Sequence, residues 1–342
     1  MKQKILITGG AGFIGSNFAR DRIHKGDQVT IFDNLSRKGA QANLDWIRQE
    51  SPGIDFDFIR GDVRDFEAIQ SAVEGKEVVV HLAAQVAVTS SVSDPIYDFS
   101  VNANGTFNVL EAVRLCGNKP LVIYASTNKV YGEIENVEVM EQSDKYILKK
   151  LMNGISEDQQ LDFHSPYGCS KGCGDQYVRD YSRIYGFPTV VFRQSCIYGP
   201  RQFGIEDQGW VAWFIIAAVL GKPISIYGDG KQVRDILHID DLINAYDLAI
   251  STVKTTGGNI YNIGGGPNNA IAIWREFGPI LEKIHGQSIP VSYGDWRPGD
   301  QKIYISDIAK AKKDLGWSPK IGVEQGIKDL YDWVKQNKTL FA

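Results

Sequence analysis

Apolar residues come in short continuous runs through the first half of the chain, at 4–8, 28–32, 55–60, 78–82, 121–125 and 189–193. Between the runs, apolar positions return every three or four residues, as at 13–25 and 101–115. Runs without alternation predict strands buried on both faces, and the periodic stretches predict helices that cover them. Strand and helix take turns regularly, which predicts an α/β protein built on a doubly wound parallel sheet.

After residue 193 the pattern breaks up. Gly- and Pro-containing stretches alternate with short elements, one more buried strand is expected at 259–263, and 306–316 and 323–336 predict amphipathic helices. The expected division is a sheet domain at 1–193 and 237–265, with a smaller, discontinuous C-terminal lobe at 194–236 and 266–342.

Composition narrows the picture. A chain of 342 residues that is 43% hydrophobic can bury a large core. The net charge of −4 and the short basic runs, such as 310–313 with three lysines, argue against nucleic acid as a partner. The opening lysines precede only three apolar residues before Thr8, too few for an export signal. The longest apolar run, 210–220, falls short of the ~20 residues that span a bilayer. A cytoplasmic protein with no membrane segment is expected. Cys116, Cys169, Cys173 and Cys196 and five scattered histidines show no metal-ligand spacing, so no metal and no disulfide framework are expected.

Chemistry enters at the first strand–helix junction, "ITGGAGFIGSN". Gly9, Gly12 and Gly15 would serve a tight turn, close approach of a diphosphate and close helix packing, with the helix N-terminus facing the anion. This makes the sheet Rossmann-type and predicts a dinucleotide. Asp33 ends the second strand, eighteen residues after Gly15, where a carboxylate suits the ribose hydroxyls of NAD and repels a 2′-phosphate. Arg37 and Lys38 close by are the argument for NADP; NAD is favoured. Asp62, after the third strand, is placed either to reach the adenine amino group or to cap a turn or helix.

"SPYGCSK" puts Tyr167 and Lys171 four residues apart, on one helical face. A phenol is a poor base near its usual pKa of ~10. An ammonium ~4 Å away, at an effective dielectric of ~20, is worth on the order of 4 kcal/mol and favours the phenolate. A surface Tyr–Lys pair is the plainer alternative. "STNKVYG", at the end of the fifth strand, supplies Thr127 to hold a substrate hydroxyl while Tyr167 takes its proton. With a nicotinamide to accept hydride, these groups make a site for oxidising a carbinol.

These motifs carry a resemblance. With HLAA at 81–84, VNANGT around Asn102, YGPR at 198–201, VRDILHIDD at 233–241, YNIGG at 261–265 and RPGD at 297–300, nearly the whole chain resembles the extended short-chain dehydrogenase/reductases. These are the nucleotide-sugar epimerases and dehydratases. The resemblance implies a catalytic triad of Thr127, Tyr167 and Lys171. It implies cofactor contacts from Phe13, Ile14, Asn34, Ser36 and Arg37, and further along from Val63, Leu82, Ala83, Ala84 and Asn102. Arg234 and Arg297 would grip a sugar nucleotide's diphosphate, with Arg201 as a further substrate contact. Gln85, Thr89, Ser90 and Asn128 would line the sugar pocket.

Which reaction follows depends on the residues after Thr127. The dehydratases of this family place Asp-Glu there, as acid and base for eliminating water; here the positions hold Asn128 and Lys129. That argues for epimerisation: oxidation to a ketone, rotation of the sugar, and return of the hydride to the opposite face. The stretches "DNLSRKGA", "QLDFHSPYGCSKG", "DQGWV", "GKQVRD" and "YDW" are similar to the 2-epimerases of CDP-3,6-dideoxyhexoses. That likeness implies conversion of CDP-paratose to CDP-tyvelose through a 2-keto intermediate. A nucleotide-sugar 4-epimerase and a net reductase or dehydrogenase are the alternatives. One departure is Cys196, where many relatives place an asparagine near the diphosphate. The polar stretch 133–165 is either a flap over the sugar or a solvated insertion, and His164 within it is either a pocket residue or a plain loop histidine. Relatives dimerise through helices equivalent to 101–115 and 167–185, which implies a homodimer or homotetramer.

Overall fold

The structure, a computed structural model, describes residues 2–297 and 300–341. The chain divides into two compact units. One holds the residues up to Thr127 with Ser165–Arg193 and Ile243–Tyr261; the other holds Asn128–His164, Gln194–Leu242 and the chain from Asn262 onward.

The first unit is built on seven strands: β1 (Lys4–Thr8), β2 (Gln28–Asp33), β3 (Asp57–Arg60), β4 (Val78–His81), β5 (Leu121–Thr127), β6 (Thr189–Gln194) and β7 (Asn259–Ile263). Their order across the sheet is β7-β6-β5-β4-β1-β2-β3, and β1 pairs in parallel with both β2 and β4. The chain therefore winds outward one way from β1 and then the other way from β4, which places a topological switch at the β1/β4 carboxyl ends. Five helices matter for the site: α1 (Phe13–His24), α2 (Ala40–Glu50), α3 (Phe66–Val73), α4 (Gly105–Leu115) and α5 (Ser165–Tyr185). On one face Leu6, Phe32, Val79, Val122 and Tyr124 pack with Val109, Leu110 and Val113 of α4 and Val178 of α5. On the other, Phe18 of α1 and Phe192 of β6 both lie 5.3 Å, ring to ring, from Tyr246. Because both faces are covered, β4 is buried at every position, as its run of three valines requires.

Two elements differ from the expectation. The helix foreseen over 101–115 opens with a π-helical turn, Ser100–Asn104, and becomes α-helical only at Gly105. The wider turn leaves the Asn102 amide inside the protein, where it finds three acceptors. The helix foreseen over 306–316 covers only Ala309–Leu315, because Ser306 is held in a bridge with Ile155 and donates its amide to Asp235 (3.1 Å).

The second unit centres on the strand Val233–His238. It pairs with Cys196–Tyr198 and Ile303–Tyr304 in parallel and with Ala270–Ala272 antiparallel. The helix Trp210–Leu220 is apolar all round and buried accordingly. It packs with Trp274, Phe277, Leu281 and with Ile327, Leu330 and Val334, the apolar stripe of Val323–Gln336.

The expected division at 1–193 and 237–265 needs correction at three places. Residues 128–164 belong with the second unit: Val130, Tyr131, Tyr146, Leu148 and Ile155 form one apolar cluster with Val233, Ile303 and Tyr304. Residues 237–242 stay with their strand, and Asp241 accepts from the Trp317 indole (2.9 Å). Asn262 closes the third, bonded to the Tyr131 hydroxyl (2.7 Å) and the Ile155 carbonyl (2.8 Å). Among the described residues no helix is long and apolar enough to cross a membrane.

Candidate active site

The glycine turn follows β1. Gly9 has φ +69° and lies so close to the chain after β4 that a Cβ there would sit 2.7 Å from the Ala83 amide nitrogen. A Cβ on Gly15 would meet the Gly9 carbonyl at 2.3 Å, so this glycine lets α1 close onto the turn. A Cβ on Gly12 would meet only the Gly9 carbonyl, at 3.1 Å, and otherwise open space. Gly12 caps α1 without a side-chain acceptor, and no acidic residue stands in the first turn. Phe13 and Ile14, half-buried, begin the helix. A cradle with bare amides, an open approach at Gly12 and no competing anion fits a dinucleotide diphosphate.

Asp33 is buried at the end of β2 and braces this turn, accepting from the amides of Ala11 (3.0 Å) and Leu35 (2.7 Å). Burial pushes its carboxyl up, against those backbone bonds. Asn34 bridges onward to Asp62 (2.9 Å) and accepts from the Ser36 amide (3.0 Å). Arg37 and Lys38 are exposed. Asp62 is not a helix cap; Asp65 caps α3. Instead Arg64 holds Asp62 in a two-pronged bond of 2.9 and 2.8 Å, which brings its carboxyl down to about 2. Val63 is buried where Gly105 opens α4, and a Cβ on that glycine would strike it at 2.6 Å.

At the end of β4, the Leu82 amide donates to Thr8 (3.0 Å), and Ala83 and Ala84 continue half-buried beside the glycine turn. Gln85 and Asn102 both brace this stretch. Both ends of the Gln85 carboxamide bond to Ala87, at 2.7 and 3.0 Å. Asn102 accepts from the Gln85 amide (2.9 Å) and donates to the Gln85 carbonyl (3.0 Å), Asp98 (3.1 Å) and Ser170 (3.1 Å). Thr89 has a buried hydroxyl with no hydrogen-bond partner, and Ser90 is exposed.

The reactive groups converge where β5 meets α5. Strand β5 runs two residues beyond the apolar run, to Thr127, because Ser126 is bonded to buried Asp175 (2.7 Å). Ser165 opens α5 in the left-handed region (φ 63°), and its hydroxyl accepts from the Gly168 amide (3.2 Å). Tyr167 then sits in the first turn, its own amide bonded to Ser91 (3.1 Å). Burial pushes the Tyr167 phenol up to about 12, a hydrogen bond with Thr127 opposes this, and Asp98 adds to it. Desolvation is thus the largest influence on the phenol in the protein alone. Lys171, one turn on, is 4% exposed, with its ammonium 4.2 Å from the ring centre of Tyr124. Burial brings it down to about 7, against the pull of Asp175 and Asp98. Asp175 is itself matched by Arg193, at 2.9 Å through both oxygens. His81, stacked on Tyr124, is bonded to Thr8 (2.7 Å) and Thr106 (3.1 Å). Burial first, then Lys171, brings it down to about 3, so it stays neutral.

Sequence reading missed Asp98, Tyr124 and Asp175. The signals were the spacings Asp98–Asn102 and Lys171–Asp175, each four residues on a helix.

The second unit holds the remaining expected contacts. Asn128 is buried, and Lys129 is brought down by burial and by Arg234, while Asp300 pulls it up. Arg234 is buried, donating to Asp300 and the Gln301 carbonyl (both 2.6 Å) and to the Val233 carbonyl (2.8 Å). Arg297 lies over the Tyr227 ring (4.1 Å) and donates to Asp207 (3.1 Å); Pro298 and Gly299 of its motif lie outside the described residues. Arg201, at φ 73°, stacks 5.5 Å from Trp333. His164 is half exposed between Glu133 and Asp162, each 3.4 Å away. The 133–165 stretch includes a small hairpin, Val139–Glu141 with Tyr146–Leu148, anchored in this unit by Tyr146.

Comparison with known proteins accords with this geometry. A family model described as GDP-mannose 4,6 dehydratase matches residues 6–330. CDP-paratose 2-epimerase of Salmonella typhi is 44% identical over 337 residues, 96% of this chain and 98% of that protein. The structure of UDP-glucose 4-epimerase from Thermotoga maritima with UDP-glucose superposes with a TM-score of 0.84 at 32% identity, covering 98% of this chain and 99% of that one. A dTDP-glucose 4,6-dehydratase from Streptomyces venezuelae with NAD bound gives 0.83 at 28% identity, covering 98% of each chain.

Proposed function

The chain belongs to the extended short-chain dehydrogenase/reductases, the family of nucleotide-sugar epimerases and dehydratases, and from that premise we propose that it epimerises carbon 2 of a CDP-3,6-dideoxyhexose, converting CDP-paratose to CDP-tyvelose. The observation that carries the proposal is the 44% identity with the Salmonella 2-epimerase, sustained over 96% of the chain. Asn128 and Lys129 support it: neither offers the carboxylate that elimination of water would use.

NAD is the cofactor, and when bound it supplies a hydride acceptor and a positive charge. Gly9, Gly12 and Gly15 with the first turn of α1 would hold its diphosphate, and Asp33 its ribose hydroxyls. Tyr167 takes the proton of the sugar hydroxyl and later returns it. Thr127 hydrogen-bonds the same phenol and orients the hydroxyl. Lys171 lends positive charge to the phenolate. Asp33 leaves no room for a 2′-phosphate beside it without like-charge repulsion. In the second unit, Arg234 and Arg297 take the diphosphate by exchanging Asp300 and Asp207 for phosphate oxygens.

The assembly is a homodimer or a dimer of dimers. Helices α4 and α5 leave Phe107, Leu115, Tyr177 and Ile184 exposed, a set a second copy would cover. Incubating the enzyme with CDP-paratose and following the sugar by NMR tests the activity. Appearance of CDP-tyvelose with no net change in nicotinamide absorbance supports it. Inversion at carbon 4, or stoichiometric reduction of added NAD, overturns it.

A further inference from the structure

Lys171 is packed on every side, and its surroundings single out one group that the reaction described above does not use. Tyr124 of β5 faces it with a ring, His81 of β4 is neutral, and Tyr167 is one turn back on α5. Asp175, one turn on, is matched by Arg193 through both oxygens and by the Ser126 hydroxyl. The remaining charge comes from the short helix Pro95–Phe99: Asp98, completely buried. One carboxylate oxygen accepts from Asn102 (3.1 Å), and the other, Oδ2, is buried with no hydrogen bond formed. The groups that act on this carboxyl are burial, which pushes it up, then the Ser170 hydroxyl and the Lys171 ammonium, which oppose that rise. Ser170 is itself bonded to the Tyr167 carbonyl (3.2 Å).

The site is built rather than incidental. The π-helical turn Ser100–Asn104 begins two residues after Asp98 and delivers Asn102 to it. Gly174 has no Cβ because one would lie 2.4 Å from the Tyr124 hydroxyl, so α5 can press Lys171 onto that ring. A buried carboxylate costs several kcal/mol unless a cation compensates it, and the cation it acts with here is Lys171.

We propose that Asp98 is a positioning residue for the reaction: buried and tied through Asn102 to Ser170, the residue before Lys171, its carboxylate supports the charged Lys171 ammonium one turn from Tyr167. The proposal rests on the reading of Tyr167 and Lys171 as the catalytic pair. It carries a sign that a purely structural role would not. Asp98 favours the charged lysine and disfavours the charged phenolate, so removing its charge moves both titrations downward.

The test is Asp98→Asn, which keeps an oxygen for Asn102 and removes the charge. In protein labelled with 13C-lysine, the Lys171 ε-carbon signal, assigned by its loss in Lys171→Arg, titrates about one pH unit lower in Asp98→Asn than in the parent. Both limbs of the kcat profile for CDP-paratose shift to lower pH. Asp98→Glu, which keeps the charge, leaves the signal and the limbs near their parental positions. In a Lys171→Met background, Asp98→Asn costs little further activity. If the asparagine variant does not fold, Asp98→Ser is read the same way. An unmoved Lys171 titration in a folded variant overturns the proposal, as does an Asp98→Asn penalty just as large without Lys171. Failure of the underlying reading looks different: Tyr167→Phe would turn over like the parent.

Discussion

Two buried cations, one in each unit, are treated in opposite ways. Lys171 in the first unit and Arg234 in the second are 4% and 7% exposed. Arg234 has a carboxylate at 2.6 Å and two carbonyls on its remaining donors. Lys171 has a ring face at 4.2 Å and carboxylates acting from a distance, and it falls to about 7. Guanidinium does not release its proton, so its surroundings can only decide what it holds. Ammonium does, so its surroundings decide how often it is charged. On the proposed function, the difference suits the first unit to proton transfer and the second to exchange of one anion for another.

The largest test of this contrast is Tyr167→Phe. Removing the phenol should lower kcat by roughly 10²–10⁴-fold, the range of a general acid–base group, with little change in KM or melting temperature. Steady-state kinetics by sugar NMR, with a thermal melt on the same sample, would show it. A parental kcat would break the proton-transfer half of the comparison.

Next in size is Arg234→Lys. A lysine keeps the charge and loses the fork that meets two phosphate oxygens. KM for the CDP-sugar should rise by roughly 10-fold or more, as expected when a charge-assisted bond worth about 1.5–3 kcal/mol is lost, while kcat changes little. A fall in kcat at constant KM would move Arg234 out of the holding role.

Asp300→Asn should give a smaller effect of opposite sign. It removes the carboxylate that now occupies Arg234, so KM should fall by a few-fold, most visibly at low salt, where charge competition is least screened. A rise in KM would mean that Asp300 orients the arginine rather than competing for it.

Most of the first unit was legible in the chain itself, for a physical reason. A parallel strand covered on both faces is nearly continuous in apolar residues, as in the three valines of β4, and its one polar residue, His81, is buried through bonds to Thr8 and Thr106. The glycines of the first turn were equally plain, because backbone clashes of 2.3–2.7 Å forbid other residues at Gly9 and Gly15. The direction of the Tyr167 shift was not legible. Spacing gives the partner four residues along, but desolvation comes from β5 and the 95–99 helix, which are distant in sequence. For the same reason the bracing bonds of the Gln85 and Asn102 carboxamides to neighbouring atoms were not legible. The place of 128–164 was hidden as well: its anchors, Val233, Ile303 and Tyr304, come about a hundred residues or more later.

The smallest effect, and one that also contrasts the units, is the pH dependence of stability. His81 in the first unit is held at about 3 when folded, below its usual 6.5. Between those values the unfolded chain binds a proton that the folded chain refuses, so stability falls as pH drops from 6.5 toward 3. Asp235 in the second unit is raised from 3.8 to about 6, although it accepts from the amides of Gly266 and Ser306 (both 3.1 Å). There the folded chain keeps a proton that the unfolded chain has lost, so this group's contribution is present below 3.8 and is lost as pH rises through 6. Between about 4 and 6 the two groups oppose each other, which flattens the melting temperature in that window. Asparagine in place of Asp235 leaves the His81 slope alone, so thermal melts of Asp235→Asn from pH 4 to 6.5 should fall more steeply with acid than those of the parent. Parallel curves would mean that Asp235 titrates in the folded chain no differently from an ordinary aspartate.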